Sequence, residues 1–198
     1  MKPEAFWIRE SIEEDRPSGA ACLQFDPVVA GGDLQESPQA SAIMAGVSPL
    51  PSPDWRHPDL FVSLPGSTPV EAWDFYETSC GFGALSKKAL DLLDPFFQDR
   101  FVSMPVFLDG HTYYSPRCLK RIDCLNRAHS TIEYIDFEDG STDILRIRAF
   151  SFDGGLLSDP MIFAIPEKHL GFFCTKSVAS LIEDCGLRGF LLEKCRVI

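Results

Sequence analysis

Residues 172–192 read FFCTKSVASLIEDCGLRGFLL, and this stretch decides the fold. An apolar run ends in Thr175 and Lys176, a segment with helical periodicity follows, and the chain returns as a second apolar run. Thr175 is a preferred type of helix N-cap, and Gly186 suits the left-handed position just after a helix. The apolar face of the predicted helix consists of Val178, Leu181, Ile182 and Cys185. The stretch therefore predicts a strand–helix–strand unit.

The same pattern occurs earlier in the chain. Leu85 ends a short apolar run, Ser86 is a good N-cap, and a helix follows with Ala89, Leu90, Leu93 and Phe97 on one face. The chain then returns through an apolar segment at residues 101–107. Asp94 precedes Pro95, and a residue before proline avoids the helical region, so this pair argues against continuation of the helix.

Turn signals and apolar runs define the remaining elements. Asp109-Gly110, Asp139-Gly140 and Asp153-Gly154-Gly155 each separate two apolar runs and predict hairpin turns. The run Phe6-Trp7-Ile8 predicts a short strand, and residues 70–76 predict an edge strand. Together these features predict an α+β fold, with an antiparallel sheet and hairpins and a few helices packed on one face.

The N-terminal part differs in composition from the rest. Residues 16–69 contain nine prolines and the pair Gly31-Gly32, which argues against sustained regular structure there. We expect residues 1–84 to form an acidic part rich in Pro, Gly and Ser, with a short strand and a long irregular segment. Residues 85–198 are expected to form the α+β core. A length of 198 residues favours one continuous globular domain.

The negative charge is unevenly distributed. The net charge is −11, and residues 1–84 carry 4 Lys+Arg against 13 Asp+Glu. That part alone therefore has a net charge of −9. Such a surface repels nucleic acid and attracts a basic partner. Acidity that serves only solubility remains an alternative.

Four short sequence motifs follow one another along the C-terminal part. Tyr113-Tyr114 comes first, residues 122–130 read IDCLNRAHS, residues 162–166 read IFAIP, and residues 186–189 read GLRG. This order resembles the bacterial immunity proteins of polymorphic toxin systems known as the myxobacterial-type immunity domain. The matching positions are Asp123, Leu125, Ser130, Ile162, Phe163, Pro166, Gly186, Leu187 and Gly189.

The resemblance covers roughly the last three-fifths of the chain. Asn126 departs from it, because the family usually has a second aspartate there. The resemblance implies a protein that binds and neutralises a cognate secreted toxin or effector, of the kind used in interbacterial competition and type VI secretion. It implies protection of the producing cell and no catalytic role.

Candidate chemistry in the sequence is weak. Gly81-Phe82-Gly83 lacks the spacing of a phosphate-binding loop, and Cys118, Cys124 and His129 lack the spacing of a zinc site. Possible nucleophiles at Ser63, Ser130 and Cys174 stand in no recognised motif. We therefore expect no catalytic residues, no metal and no cofactor.

The seven cysteines show no regular framework, and the N-terminus has no signal-peptide pattern. No apolar stretch is long enough to span a membrane. These features predict a reduced, cytoplasmic protein.

The leading hypothesis is an acidic binding protein that occludes the basic active site of its toxin, with neither nucleic acid nor a membrane as partner. The alternatives are a small hydrolase, another unrecognised enzyme, or a structural adaptor. Asp123, Asn126 and Ser130 are either contacts or turn residues that bond the backbone. The candidate partner-binding residues are Glu10, Glu13, Glu14, Asp15, Asp54, Trp55, Asp59, Asp123 and Asn126.

Overall fold

The computed structural model describes residues 3–10, 22–25, 59–63, 73–77, 83–108 and 111–198. The helices are α1, Lys87–Phe97, and α2, Lys176–Asp184. The strands are β1 Ala5–Glu10, β2 Cys22–Phe25, β3 Asp59–Ser63, β4 Phe75–Glu77, β5 Gly83–Leu85, β6 Phe101–Leu108, β7 His111–Cys118, β8 Thr131–Asp136, β9 Thr142–Ala149, β10 Ser151–Phe152, β11 Ile162–Ile165, β12 Lys168–Thr175 and β13 Phe190–Val197. Short 3-10 turns occupy Gln98–Arg100 and Gly154–Leu156. The α+β prediction is confirmed.

The strands form three sheets. A five-stranded sheet has the order β10-β13-β1-β12-β11, a six-stranded sheet has the order β2-β3-β6-β7-β5-β4, and β8 pairs with β9. The predicted strand at Phe6-Trp7-Ile8 is confirmed as part of β1, which lies at the centre of the five-stranded sheet. The predicted edge strand forms as β4, at Phe75–Glu77. Residues 70–72 lie outside the described part of the chain.

The two strand–helix–strand units are confirmed, and both have the same topology. β5 and β6 flank β7 and are each antiparallel to it. β12 and β13 flank β1 and are each antiparallel to it. The two strands of each unit are therefore parallel to one another, with one antiparallel strand inserted between them, as in a split β-α-β motif.

Helix α1 continues through Pro95 to Phe97, although the Asp94-Pro95 pair argues against continuation. Phe97 is buried and its ring lies 5.1 Å from that of Phe101. This packing outweighs the local cost of proline in the last turn. The predicted cap is confirmed, since Ser86 Oγ accepts a hydrogen bond of 3.1 Å from the backbone N–H of Ala89.

Helix α2 is capped by a residue that is distant in sequence. Thr175 makes no side-chain cap, so that prediction is wrong; its hydroxyl donates to Asp159 Oδ1 at 2.6 Å. Asp159 takes the capping role, because its carboxylate accepts from Ser177 N at 3.2 Å and from Ser177 Oγ at 2.7 Å. The buried face consists of Val178, Ala179 and Ile182, whereas Leu181 and Cys185 are only partly buried.

Replacing Asp159 with alanine is expected to cost about 1 kcal/mol at pH 7, the usual effect of losing an N-cap. Burial favours the protonated acid, but the hydrogen bonds from Thr175 and Ser177 outweigh it and hold the pKa of Asp159 below its ordinary value. The carboxylate therefore stabilises the fold above about pH 4, and this contribution is lost as the pH falls through the lowered folded-state pKa. Urea unfolding at pH 7 and pH 3 measures the difference.

Asp184→Ala, at the opposite end of the same helix, is the matched control. A carboxylate near a helix C-terminus is unfavourable, so this change should leave stability equal or slightly higher. Equal losses for the two variants at pH 7 would contradict the capping role of Asp159.

Of the three predicted hairpin turns, one is confirmed in full. Gly140 has φ +83° and joins β8 to β9. Asp109-Gly110 lies outside the described residues, although Leu108 pairs with His111 on either side of it. The third prediction is wrong, because Gly154–Leu156 form a 3-10 turn leading to a strand that does not pair with β10.

The five-stranded sheet is covered on both faces. One face packs on both helices and on the six-stranded sheet, through residues such as Ile8, Phe172, Leu93 and Ile182. The other face carries a second cluster that includes Phe163 and Phe173. Ile132 and Ile147, at the base of the β8–β9 pair, pack against this second cluster.

Candidate functional site

Residues 131–149 form a two-stranded hairpin that pairs with no other described strand. It exposes four large apolar side chains, which is unusual for one small element. Their exposed fractions are 54% for Tyr134, 38% for Ile135, 49% for Phe137 and 61% for Leu145. Contiguous exposed apolar groups rimmed by polar residues are typical of protein–protein contacts. The hairpin is therefore the candidate binding element.

The distal half of the hairpin is acidic. Residues 134–145 contain four carboxylates and no Lys or Arg; the four are Asp136, Glu138, Asp139 and Asp143. Hydrogen bonds from the side chain and backbone of Ser141 lower the pKa of Asp139, so this carboxylate is ionised at neutral pH. Exposed aromatic and aliphatic groups thus alternate with carboxylates along the hairpin.

Hydrogen bonds from the segment at residues 122–130, which is part of the resemblance to immunity proteins, fix the base of the hairpin. Ser130 Oγ donates to the carbonyl oxygen of Asn126 at 2.8 Å and accepts from Ser151 N at 3.0 Å. Asn126 N donates to the carbonyl oxygen of Ser151 at 2.7 Å. Asn126 and Ser130 therefore join the start of β8 to the start of β10, as the turn interpretation predicts. Asp123 lies just before this turn and is exposed.

The structure does not bring the other predicted contacts together. Five of them lie outside the described residues: Glu13, Glu14, Asp15, Asp54 and Trp55. Glu10 and Asp59 are described only as strand backbone, at the end of β1 and the start of β3. The sequence predicts this hairpin through Asp139-Gly140, but it does not identify the exposed apolar residues of the hairpin as contacts. The signal for such contacts was present in IEYIDFEDGSTDIL, residues 132–145, where acidic residues interrupt the apolar ones.

A polar cavity lies between the hairpin and the five-stranded sheet. Its volume is about 510 Å³, and it is lined by Trp7, Arg9, Ile144, Leu145, Arg146, Ile147, Arg148, Glu167, Lys168 and Glu193. The Arg9 guanidinium carbon lies 4.6 Å from the centre of the Trp7 ring, and Lys168 Nζ lies 4.9 Å from it. Both distances are within the range of cation–π attraction.

The charges around this cavity are mostly partnered. Arg148 pairs with Glu133, and Arg9 lies 3.4 Å from a carboxylate oxygen of Glu193. Glu167 has only 4% of its side chain exposed and pairs with Arg127 at 2.7 Å. Its other oxygen, Oε2, is buried without a hydrogen-bond partner.

Cys124, considered above as a metal ligand, and Cys174, considered as a nucleophile, are both poorly suited to these roles at neutral pH. Burial raises the pKa of Cys124 to about 12 and raises that of Cys174 further. A buried thiol that stays protonated is a poor nucleophile and a poor metal ligand. Within the described residues, no three His, Cys, Asp or Glu side chains are grouped as a metal site would need.

No protein-family model matches the sequence, and no curated protein matches it significantly. No helix in the described part of the chain combines the length and apolarity needed to cross a membrane.

Proposed function

We propose that the chain is a binding protein that neutralises a basic toxin, in the manner of the immunity proteins it resembles. The observation that carries the proposal is the hairpin at residues 131–149, with its four exposed apolar side chains and four carboxylates. The protein acts by occlusion in a reduced, cytoplasmic compartment, without catalysis and without a nucleic-acid or membrane partner.

The apolar side chains supply the affinity. Large side chains such as Tyr134, Phe137 and Leu145 are costly to leave in water, and each Å² of apolar surface covered contributes about 25 cal/mol. A few such anchors near the centre of an interface dominate the binding energy of most complexes. A projecting hairpin can insert them into a cleft, which a flat sheet surface cannot do.

The carboxylates determine which partners bind and how fast they associate. The chain carries a net charge of −11, and the exposed tip of the hairpin has the same sign. An acidic surface accelerates encounter with a basic surface and repels acidic ones. A toxin whose active site is a basic cleft is therefore the expected occupant, with the hairpin in that cleft.

Co-expression tests the function directly. Each neighbouring gene that encodes a large secreted protein is expressed with and without this chain, and growth is scored. The expected result is rescue from one toxic product, followed by a one-to-one complex of nanomolar affinity, about −12 kcal/mol. No rescue, or no binding to the toxin at micromolar concentrations, would overturn the proposal.

The double variant Tyr134→Ser and Phe137→Ser is expected to weaken toxin binding at least 100-fold, since two anchors of about 2 kcal/mol each are removed. Both side chains are largely exposed, so the fold should be retained. Isothermal titration measures the affinity, and urea unfolding measures the stability.

Leu119→Ser is the matched control, because Leu119 is also an exposed apolar residue but follows β7 at the six-stranded sheet. It should leave affinity within about twofold. An unchanged affinity in the hairpin variant would remove the hairpin from the interface.

A further inference from the structure

We propose that the cavity between the hairpin and the five-stranded sheet binds a small oxyanion, a carboxylate or a phosphate, through Lys168 and Arg146. The cavity shares Leu145 with the exposed surface of the hairpin, but the proposal does not depend on the toxin.

The charge of the cavity is opposite to that of the protein. Four basic side chains line it against two acidic ones, in a chain of net charge −11. The four bases come from three strands: Arg9 from β1, Arg146 and Arg148 from β9, and Lys168 from β12. Like charges gathered from three strands repel one another, and an anion among them would remove that repulsion.

Two of these basic side chains, Arg146 and Lys168, can donate further hydrogen bonds. Arg148 and Arg9 already face Glu133 and Glu193. Among the described residues, the side chain of Arg146 makes no hydrogen bond or ion pair, and the ammonium group of Lys168 lies near the Trp7 ring. A guanidinium presents donors in a fork that matches carboxylate and phosphate oxygens, and an ammonium adds a compact positive charge.

The backbone makes room for the lysine. A Cβ built at Gly171 would lie closer than 3.0 Å to Lys168 Cγ, so the aliphatic stem of Lys168 occupies the space that any other residue at 171 would fill. The stem of Lys168 therefore lies against Gly171, and its Nζ lies near Trp7. Gly171 is therefore a positioning residue for this cation.

The position of Lys168 in this cavity disfavours its positive charge. Burial lowers the pKa of Lys168, and the charge of Arg9 adds to that effect while Glu77 opposes it. Desolvation penalises the ammonium form, and the charge of Glu77 offsets that penalty only in part, so a further counter-charge is favourable. A bound oxyanion would supply it, and a volume of about 510 Å³ accepts a small organic anion or phosphate.

The test uses the whole protein labelled with ¹⁵N at its three tryptophans. Indole N–H signals are followed by NMR during titration with citrate, with inorganic phosphate and, at equal ionic strength, with sodium chloride. Trp55→Phe and Trp73→Phe assign the other two signals. The expected result is a saturable shift of the Trp7 signal with citrate or phosphate but not with chloride; which of the two binds more tightly distinguishes a carboxylate site from a phosphate site.

Lys168→Met and Arg146→Gln should each weaken this binding on the order of tenfold, and Gly171→Ala should weaken it by displacing Lys168. Lys120→Gln, which removes an exposed lysine paired with Asp99, should leave it unchanged. The proposal is overturned if neither oxyanion shifts the Trp7 signal at 20 mM (about the concentration that would saturate a millimolar site). It is equally overturned if Lys168→Met and Lys120→Gln bind alike.

Discussion

Replacing Ile182 with alanine is expected to destabilise the protein by about 2–5 kcal/mol, a large share of the stability of a domain this size. Ile182 has 1% of its surface exposed and belongs to the cluster between α2, α1 and the five-stranded sheet. The loss combines the hydrophobic transfer of the deleted carbons with the cavity they leave. Urea unfolding followed by circular dichroism gives the value.

Leu181→Ala is the control one residue away. The sequence pattern assigned both residues to the buried face, but Leu181 is only partly buried while Ile182 is fully buried. The cost at Leu181 should therefore be about 1 kcal/mol, because less apolar surface returns to water. If Leu181→Ala proved as damaging as Ile182→Ala, α2 would have to be rotated relative to the sheet.

Gly189→Ala is expected to cost about 3 kcal/mol or more, from a strained backbone and an unavoidable clash together. Gly189 has φ +90°, and a Cβ there would lie closer than 3.0 Å to the carbonyl oxygen of Phe75 and to the Trp73 ring. The backbone cannot easily retreat, since the carbonyl oxygen of Arg188 accepts a 2.9 Å hydrogen bond from Asp74 N.

Gly186→Ala separates the two causes. Gly186 also has a positive φ, +59°, but no atom lies within 4 Å of a Cβ built there. This variant should lose only the conformational cost, about 1 kcal/mol. Thermal and urea unfolding of both variants measure the difference. Similar losses at the two glycines would mean that the contact between residue 189 and strand β4 is unimportant.

The candidate site was harder to predict than the fold. Net charge is visible in a sequence, and it predicts contacts among the acidic residues of the N-terminal part. The pattern around Tyr134 and Phe137 predicts only ordinary strands, because alternation alone does not tell whether an apolar residue faces a core. Whether it does depends on what packs against the strand, and here only Ile132 and Ile147, at its base, meet the second cluster.

Local chemistry determined the elements of this protein. Ser86 begins a helix, Gly140 and Gly186 supply positive φ at turns, and the apolar runs around them become strands. These outcomes follow from interactions between residues a few positions apart, so the sequence by itself was sufficient for the two strand–helix–strand units and the α+β class.

Tertiary structure alone decided three further matters, each of which depends on residues far apart in the chain. It placed β1 at the centre of a sheet between β12 and β13. It made the side chain of Asp159, and not that of Thr175, the N-terminal cap of α2. It also gathered Arg9, Arg146 and Lys168 around one cavity in an acidic protein. No local pattern encodes these contacts, because their free energy comes from burial and charge in the assembled fold.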